Sequence, residues 1–255
     1  MSTAREWEAY RRLDDAEALH QQRSFPQDQQ PHGNTIPGHL LLLRLGLRER
    51  RNGPPLRACS EREAAIQAAN GDGKAETLYH LRAEDEWGRP FWLDLEMRGS
   101  ATLEELDRYL RSIWLECCGH LSQFSVGGWG GSEIPKSRRA DQVFGEDTEL
   151  THIYDFGTES RTLIRTMDVR KGSPTTEHPI ELMARNHKPE AICTECDREA
   201  AWLCIECMYD EDASGTLCDE HVDDHPHDAY GAPMPLLNSP RTGMCGYTGP
   251  AEPPY

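Results

Sequence analysis

The sequence predicts an α+β protein: a helical N-terminal region, a central domain that combines sheet and helix, and a small C-terminal module. Alternating apolar and polar residues mark strands on both sides of one amphipathic helix in the middle of the chain. Cysteine and histidine pairs then crowd between Cys193 and His227. These shifts in pattern predict four regions, which are 1–73, 74–188, 189–232 and an irregular tail over 233–255.

Residues 1–73 are predicted to be helical around a linker rich in Pro and Gln, QQRSFPQDQQPHGNTIPG. Thr3 and Glu6 can form a capping box for the first helix, and HLLLLRLGL predicts a short apolar helix after the linker. Ser60 with Glu63 is a second capping signal, which predicts a helix over AAIQAAN.

In the central domain, TLYHLRAEDEWGRPFWLDLEM predicts two strands around a turn at 87–89. Thr102 and Glu105 cap the helix TLEELDRYLRSIWLEC. Its apolar residues recur at helical spacing and predict a buried stripe of Leu103, Leu106, Leu110, Ile113 and Trp114. A strand is predicted for LSQFSVGG, and the glycine-rich stretch that follows is predicted to be a turn. Two further β segments are predicted for THIYDFG and SRTLIRTMDV.

Eight potential metal ligands stand in four pairs: Cys193/Cys196, Cys204/Cys207, Cys218/His221 and His225/His227. Two residues separate the members of each of the first three pairs, a spacing that aims both side chains at one tetrahedral ion. The last pair is separated only by Pro226, and residues two apart in an extended segment point to the same side. Since structural zinc takes four N or S ligands, the sequence predicts two structural Zn²⁺ ions.

Neighbouring pairs or alternate pairs could share each ion, and we favour alternate pairs. One site would then use Cys193, Cys196, Cys218 and His221, and the other Cys204, Cys207, His225 and His227. The spacing of CTECDREAAWLCIEC and LCDEHVDDHPH resembles the cross-braced B-box type of zinc module, and this resemblance implies the same alternation. The gap between Cys207 and Cys218 is longer than is usual in that family. In a further alternative, Cys245 replaces one histidine.

The N-terminus lacks the apolar core of a signal peptide, and the longest apolar run, LLLL, is too short for a membrane helix. We therefore expect a cytoplasmic protein without membrane attachment. Because cytosolic thiols stay reduced, its paired cysteines are expected to bind metal and not to form disulfides.

The net charge of −17 is concentrated in the C-terminal quarter, since residues 189–255 carry 14 of the 44 acidic residues and only 2 of the 27 basic ones. Two Zn²⁺ ions add four positive charges, which five bound thiolates cancel. Nucleic-acid binding needs Lys and Arg against phosphates, so this module is not expected to bind nucleic acid directly. A basic protein is the expected partner.

The segment THIYDFGTESRTLIRTMDV, with the helix that leads into His120 and Leu121, resembles the plasmid pRiA4b ORF-3-like family over residues 75–180. The tail PLLNSPRTGMCGYTG is similar to a C-terminal signature of the zinc-bearing branch. The resemblance implies a small α+β domain of bacteria and archaea, carried in some cases by mobile elements. Here ESR stands in place of the Trp and His that commonly follow YDFG, so the resemblance implies no activity that depends on that pair.

A further site is possible if the strand after Gly119 lies beside the YDFG strand. Its candidate residues are Cys117, Cys118, His120, His152 and Asp155. They would supply a nucleophile with a base, or a third metal site. The alternative is that the cysteines belong to the core and that Asp155 makes a turn hydrogen bond.

Closed Cys/His sites leave no coordination position for substrate, so the sequence favours a zinc-binding adaptor whose acidic module docks a protein partner over an enzyme. Two rival hypotheses remain. One is an enzyme that uses Cys118, His120, His152 and Asp155, and the other is a mobile-element accessory protein that contacts nucleic acid through the arginines of the central domain.

Overall fold

The computed structural model describes residues 60–70, 74–210 and 213–255. The helices and linker predicted for residues 1–59 lie outside the described residues. Helix α1 spans Ser60–Ala69, where the second capping signal predicts a helix. No helix within the described ranges is long and apolar enough to cross a membrane.

Seven antiparallel strands form the central sheet, in the order β4-β3-β5-β6-β1-β2-β7. Their bounds are β1 Glu76–Asp85, β2 Trp92–Arg98, β3 Ser122–Val126, β4 Ser132–Ile134, β5 Glu149–Tyr154, β6 Ser160–Gly172 and β7 Ile180–Arg185. Helix α2, Leu103–Leu110, follows β2, and the short helix α3, Ala140–Val143, follows β4. The predicted α+β class is confirmed.

Helix α2 begins with the predicted capping box: the Thr102 hydroxyl accepts from the Glu105 amide, and the Glu105 carboxylate accepts from the Thr102 amide at 2.7 Å. A π-helical turn, Arg111–Leu115, extends it. The predicted stripe is fully buried: Leu103, Leu106, Leu110, Ile113 and Trp114 are each 0 % exposed. It packs on the apolar side of the sheet in one core cluster.

The other side of β1 and β2 carries paired charges, as the alternation along both strands requires. Arg82 donates two hydrogen bonds of 2.8 Å to the Asp94 carboxylate. Glu96 accepts from Arg170 of β6 and from Arg62 of α1. The helix before the sheet is therefore joined to this charged side.

The C-terminal module contains only short elements. Strands β8 Trp202–Leu203 and β9 Thr216–Leu217 form a sheet with β10 Met234–Pro235 of the tail, in the order β10-β8-β9, and helix α4 spans Ile205–Asp210. The tail, predicted to be irregular, thus contributes one short strand. The tail then crosses to the central domain, where the Ser239 hydroxyl donates to the Trp114 carbonyl at 2.6 Å and Arg185 donates to the Asn238 carbonyl at 2.7 Å. The tail thus contacts both regions.

Candidate metal centres

The structure gathers Cys193, Cys196, Cys218 and His221 into one group, which we call the first site. The Cys193 amide donates to the Arg198 carbonyl at 2.9 Å and closes the loop that carries the first two thiols. Strand β9 ends directly before Cys218, and a turn in which the His221 amide bonds to the Cys218 carbonyl brings in the imidazole.

A separate group, which we call the second site, consists of Cys204, Cys207, His225 and His227. Cys204 follows strand β8, and helix α4 turns Cys207 toward the same point. Both histidines reach Cys207, with His225 Nε2 3.2 Å and His227 Nδ1 3.1 Å from its Sγ. The structure thus combines the pairs in the alternate, cross-braced order.

The separations of the ligand atoms fit a tetrahedral ion. Zn–S bonds of about 2.3 Å and Zn–N bonds of about 2.0–2.1 Å place tetrahedral ligands roughly 3.5–3.8 Å apart. In the first site, Cys196 and Cys218 Sγ are 3.8 Å apart, and Cys193 Sγ is 3.5 Å from His221 Nδ1. The ligand atoms of the second site likewise lie within 4.8 Å of one another, so both groups are positioned to hold a metal ion.

Backbone amides support the charge that bound thiolates would carry. The Glu195 amide donates to Cys193 Sγ at 3.4 Å, and the Cys207 amide to Cys204 Sγ at 3.5 Å. Hydrogen bonds from the Arg198 amide and guanidinium lower the pKa of Cys196 to about 6. This favours the thiolate, the form that binds metal.

Gly215 lets the two sites lie close together. Its φ is +65°, and a Cβ there would lie 2.4 Å from the carbonyl oxygen of Cys204. The Cys204 amide in turn donates to the Gly215 carbonyl at 2.7 Å. A larger residue would separate the second site from strand β9, which leads into the first.

Cys117, His120 and Cys245 form a third group, with ligand atoms within 4.8 Å of one another. The first two follow the π-helical turn of the central domain, and the last lies in the tail. Cys118 is exposed and outside this group. The alternative in which Cys245 replaces a histidine of the paired sites is wrong, because the tail carries Cys245 to the central domain.

Asp155 and Arg241 lie against the third group. The buried Arg241 guanidinium bonds to the Asp155 carboxylate, and its Nη2 lies 3.4 Å from the sulfurs of both Cys117 and Cys245. His120 Nε2 is 3.6 Å from Asp155 Oδ2. Asp155 also makes the predicted turn bonds, accepting from the Gly157 and Thr158 amides at 3.1 Å.

The structure places His152 elsewhere, so the expectation that it joins the other candidates is wrong. Its fully buried ring lies on β5, with Nε2 2.7 Å from Asp107 of α2, within a network that includes Ser122, Arg111 and Lys136. Burial lowers the pKa of His152. Burial alone would raise the pKa of Asp107, but hydrogen bonds from His152 and Ser122 and the Arg111 charge outweigh it and hold that pKa well below its usual range.

Sequence reasoning missed Arg241 and Asp107. The sequence could have pointed to Arg241, because it is the only Lys or Arg after Arg198 in an otherwise acidic stretch. Nothing in the sequence pointed to Asp107, since it reads as one more polar position on an amphipathic helix.

No family model and no curated protein matches the chain. Among solved structures, the chain is similar to a protein of unknown function, MM3350 from Methanosarcina mazei Go1, at 18% sequence identity and a TM-score of 0.37. The match covers 48% of this chain and 75% of that one. At this TM-score the likeness does not define a shared fold, and the resemblance to the pRiA4b ORF-3-like family stays a prediction.

Proposed function

We propose that this chain is a cytoplasmic zinc-binding adaptor: two structural zinc ions hold the C-terminal module, whose acidic surface docks a basic protein partner. The observation that carries the proposal is the pair of separate four-residue Cys/His groups in this small acidic module. Each supplies only N and S donors, the set and number that Zn²⁺ takes in closed structural sites.

All but one of the described acidic side chains of the module are exposed to solvent. The exposed ones are Glu190, Glu195, Asp197, Glu199, Asp219, Glu220, Asp223, Asp224 and Asp228. Arg198, the one basic residue of region 189–232, forms an ion pair with Glu220. With two zinc ions and five thiolates nearly cancelling, this surface stays negative and attracts a cationic partner.

The nucleic-acid alternative is disfavoured by how the arginines of the central sheet are used. Arg82 pairs with Asp94, Arg165 with Glu84 and Glu149, and Arg170 with Glu96. A phosphate would have to displace these carboxylates, which removes much of the gain that free arginines provide.

Selection from a random peptide library on the immobilised, zinc-loaded full chain tests the docking surface. We expect enrichment of Lys- and Arg-rich peptides whose binding weakens as salt rises. The variant Asp223→Lys/Asp224→Lys should lose that enrichment while its zinc content, measured by elemental mass spectrometry, stays unchanged.

Glu133→Lys/Glu146→Lys is the matched control, because it makes the same charge change at exposed residues of the central domain. It should keep the enrichment. An equal loss of enrichment in both variants would show that binding depends on net charge alone and would refute a docking surface on the module. A wild-type selection that enriches no basic peptides would refute it as well.

A further inference from the structure

We infer that the third group is a metal site of its own, with Cys117, His120 and Cys245 as protein ligands and a fourth coordination position open to solvent. It rests on residues outside the two paired sites. The metal would be a divalent ion that accepts thiolate and imidazole, such as Zn²⁺ or Co²⁺.

The convergence of these three side chains requires a long-range arrangement of the chain. Two ligands follow the π-helical turn, and the third lies 125 positions further on, in the tail. Hydrogen bonds from Ser239 to the Trp114 carbonyl and from Arg241 to the Thr158 carbonyl hold the tail there. Within the described ranges, this is the one other Cys/His group that can hold a metal ion.

The imidazole of His120 has a nitrogen available. Its Nε2 is buried and has no hydrogen-bond partner in the described part of the chain, and Asp155 Oδ2, at 3.6 Å, is too far to accept from it. A buried polar atom without a partner destabilises the fold, and binding a metal or a water would satisfy it.

The charges around the group balance when a divalent ion is present. Two thiolates and Asp155 carry three negative charges, Arg241 carries one positive charge, and the ion supplies the remaining two. Arg241 Nη2 lies 3.4 Å from both sulfurs, so it can donate to bound thiolates and fix their orientation. Asp155 and Cys245 hold φ values of +63° and +48°, a region that non-glycine residues seldom occupy and that is common at functional sites.

The fourth position stays open because neighbouring candidates are occupied or outside the group. Asp155 Oδ1 accepts from two backbone amides and Oδ2 from Arg241. The Cys118 side chain hydrogen-bonds to Cys245 but is not one of the three converging ligands. Cys245 is an exposed residue, so the group lies near the protein surface. Three protein ligands and an open position are what catalytic zinc sites have, and the position suits a water or a small anion.

Metal stoichiometry of the reduced full chain, loaded with Zn²⁺ and measured by elemental mass spectrometry, tests the site. We expect three ions in the wild type and two in each of His120→Ala and Cys245→Ala, which alter different segments. His187→Ala, which removes an exposed histidine outside the three groups, is the matched control and should keep three. The inference would be overturned by wild-type protein that binds two ions while the Cys117 and Cys245 thiols remain free to react with a thiol reagent. It would also be overturned if both variants kept the metal content of the wild type.

The open position is tested with Co²⁺-loaded protein and azide as the added anion. Azide should change the visible absorption of the wild type and leave that of His120→Ala unchanged. An unchanged wild-type spectrum would show that a protein group fills the fourth position and would overturn this part of the inference. Failure of the third site would leave the first and second sites, and the adaptor proposal, intact.

Discussion

The central sheet and the C-terminal module of this chain are stabilised by different means. Strand β6 alone is 13 residues long, and its sheet encloses a core in which many side chains are fully buried. Each strand of the module, like strand β10 of the tail that pairs with it, has two residues. The main apolar cluster, which module and tail share, consists of six buried side chains: Ala191, Ala200, Leu203, Met208, Leu236 and Met244.

The two regions therefore obtain their folding free energy from different sources. The sheet buries enough apolar surface to be stable through the hydrophobic effect. A segment the size of the module buries too little, and such domains usually depend on metals or disulfides. None of the described cysteines forms a disulfide, and two Cys/His groups of the module are positioned to hold a metal ion. We therefore expect metal binding to stabilise the module.

The largest expected effect is that of removing a ligand from the second site. Cys204→Ser should unfold the module and leave the sheet folded, because structural zinc contributes roughly 10–16 kcal/mol to folding in small zinc domains. Limited proteolysis with mass spectrometry should locate new cleavages within 189–232 and none in β1 to β7.

Cys118→Ser, which changes an exposed cysteine outside the groups, is the control and should resist protease like the wild type. A protease-resistant Cys204→Ser protein that retains its zinc would contradict the view that metal holds the module.

The reverse test weakens the sheet and spares the module. Leu106→Ala removes a fully buried side chain of α2 and should lower the free energy of unfolding by about 2–5 kcal/mol. Urea unfolding followed by circular dichroism measures this, and the zinc content should stay at the wild-type value. Val126→Ala, at a side chain 50% exposed on β3, should change stability by less than about 0.5 kcal/mol.

The helix and the paired metal sites could be predicted because their signals are local. Thr102 with Glu105 and the apolar stripe of α2 lie within four turns of helix, and each Cys/His pair spans at most four residues. The third group could not be predicted in this way, since Cys245 meets Cys117 only through the path of the tail. His152 was misplaced because strand register, which pairs it with Phe124, directs its ring toward helix α2.

A smaller effect on stability, which depends on pH, is expected from the polar network around Asp107, between helix α2 and the sheet. Asp107→Asn should cost about 1–3 kcal/mol near pH 7, because Arg111 and Lys136 lose a charged acceptor. The pKa of Asp107 is depressed in the folded protein, so its stabilisation is present above the unfolded value of about 3.9 and is lost as the pH falls below it.

Urea unfolding of both proteins at each pH from 7 to 3 tests this sign. The difference in unfolding free energy should stay constant down to about pH 5 and shrink below about pH 4. Comparing the two proteins at the same pH cancels the loss of metal that acid causes in both. A difference that grows in acid would show that the Asp107 carboxylate does not stabilise the fold.

The smallest expected effect comes from the capping box of α2. Thr102→Ala removes the side chain that accepts from the Glu105 amide and should cost about 1 kcal/mol. Thr102→Ser keeps the hydroxyl and should recover most of that loss in the same urea measurement. Because the cap belongs to the sheet domain, neither variant should alter zinc content or protease cleavage within 189–232. If Thr102→Ala exposed the module to protease, the sheet and the module would be coupled through the tail. The two regions would then not fold independently, although they are stabilised by different means.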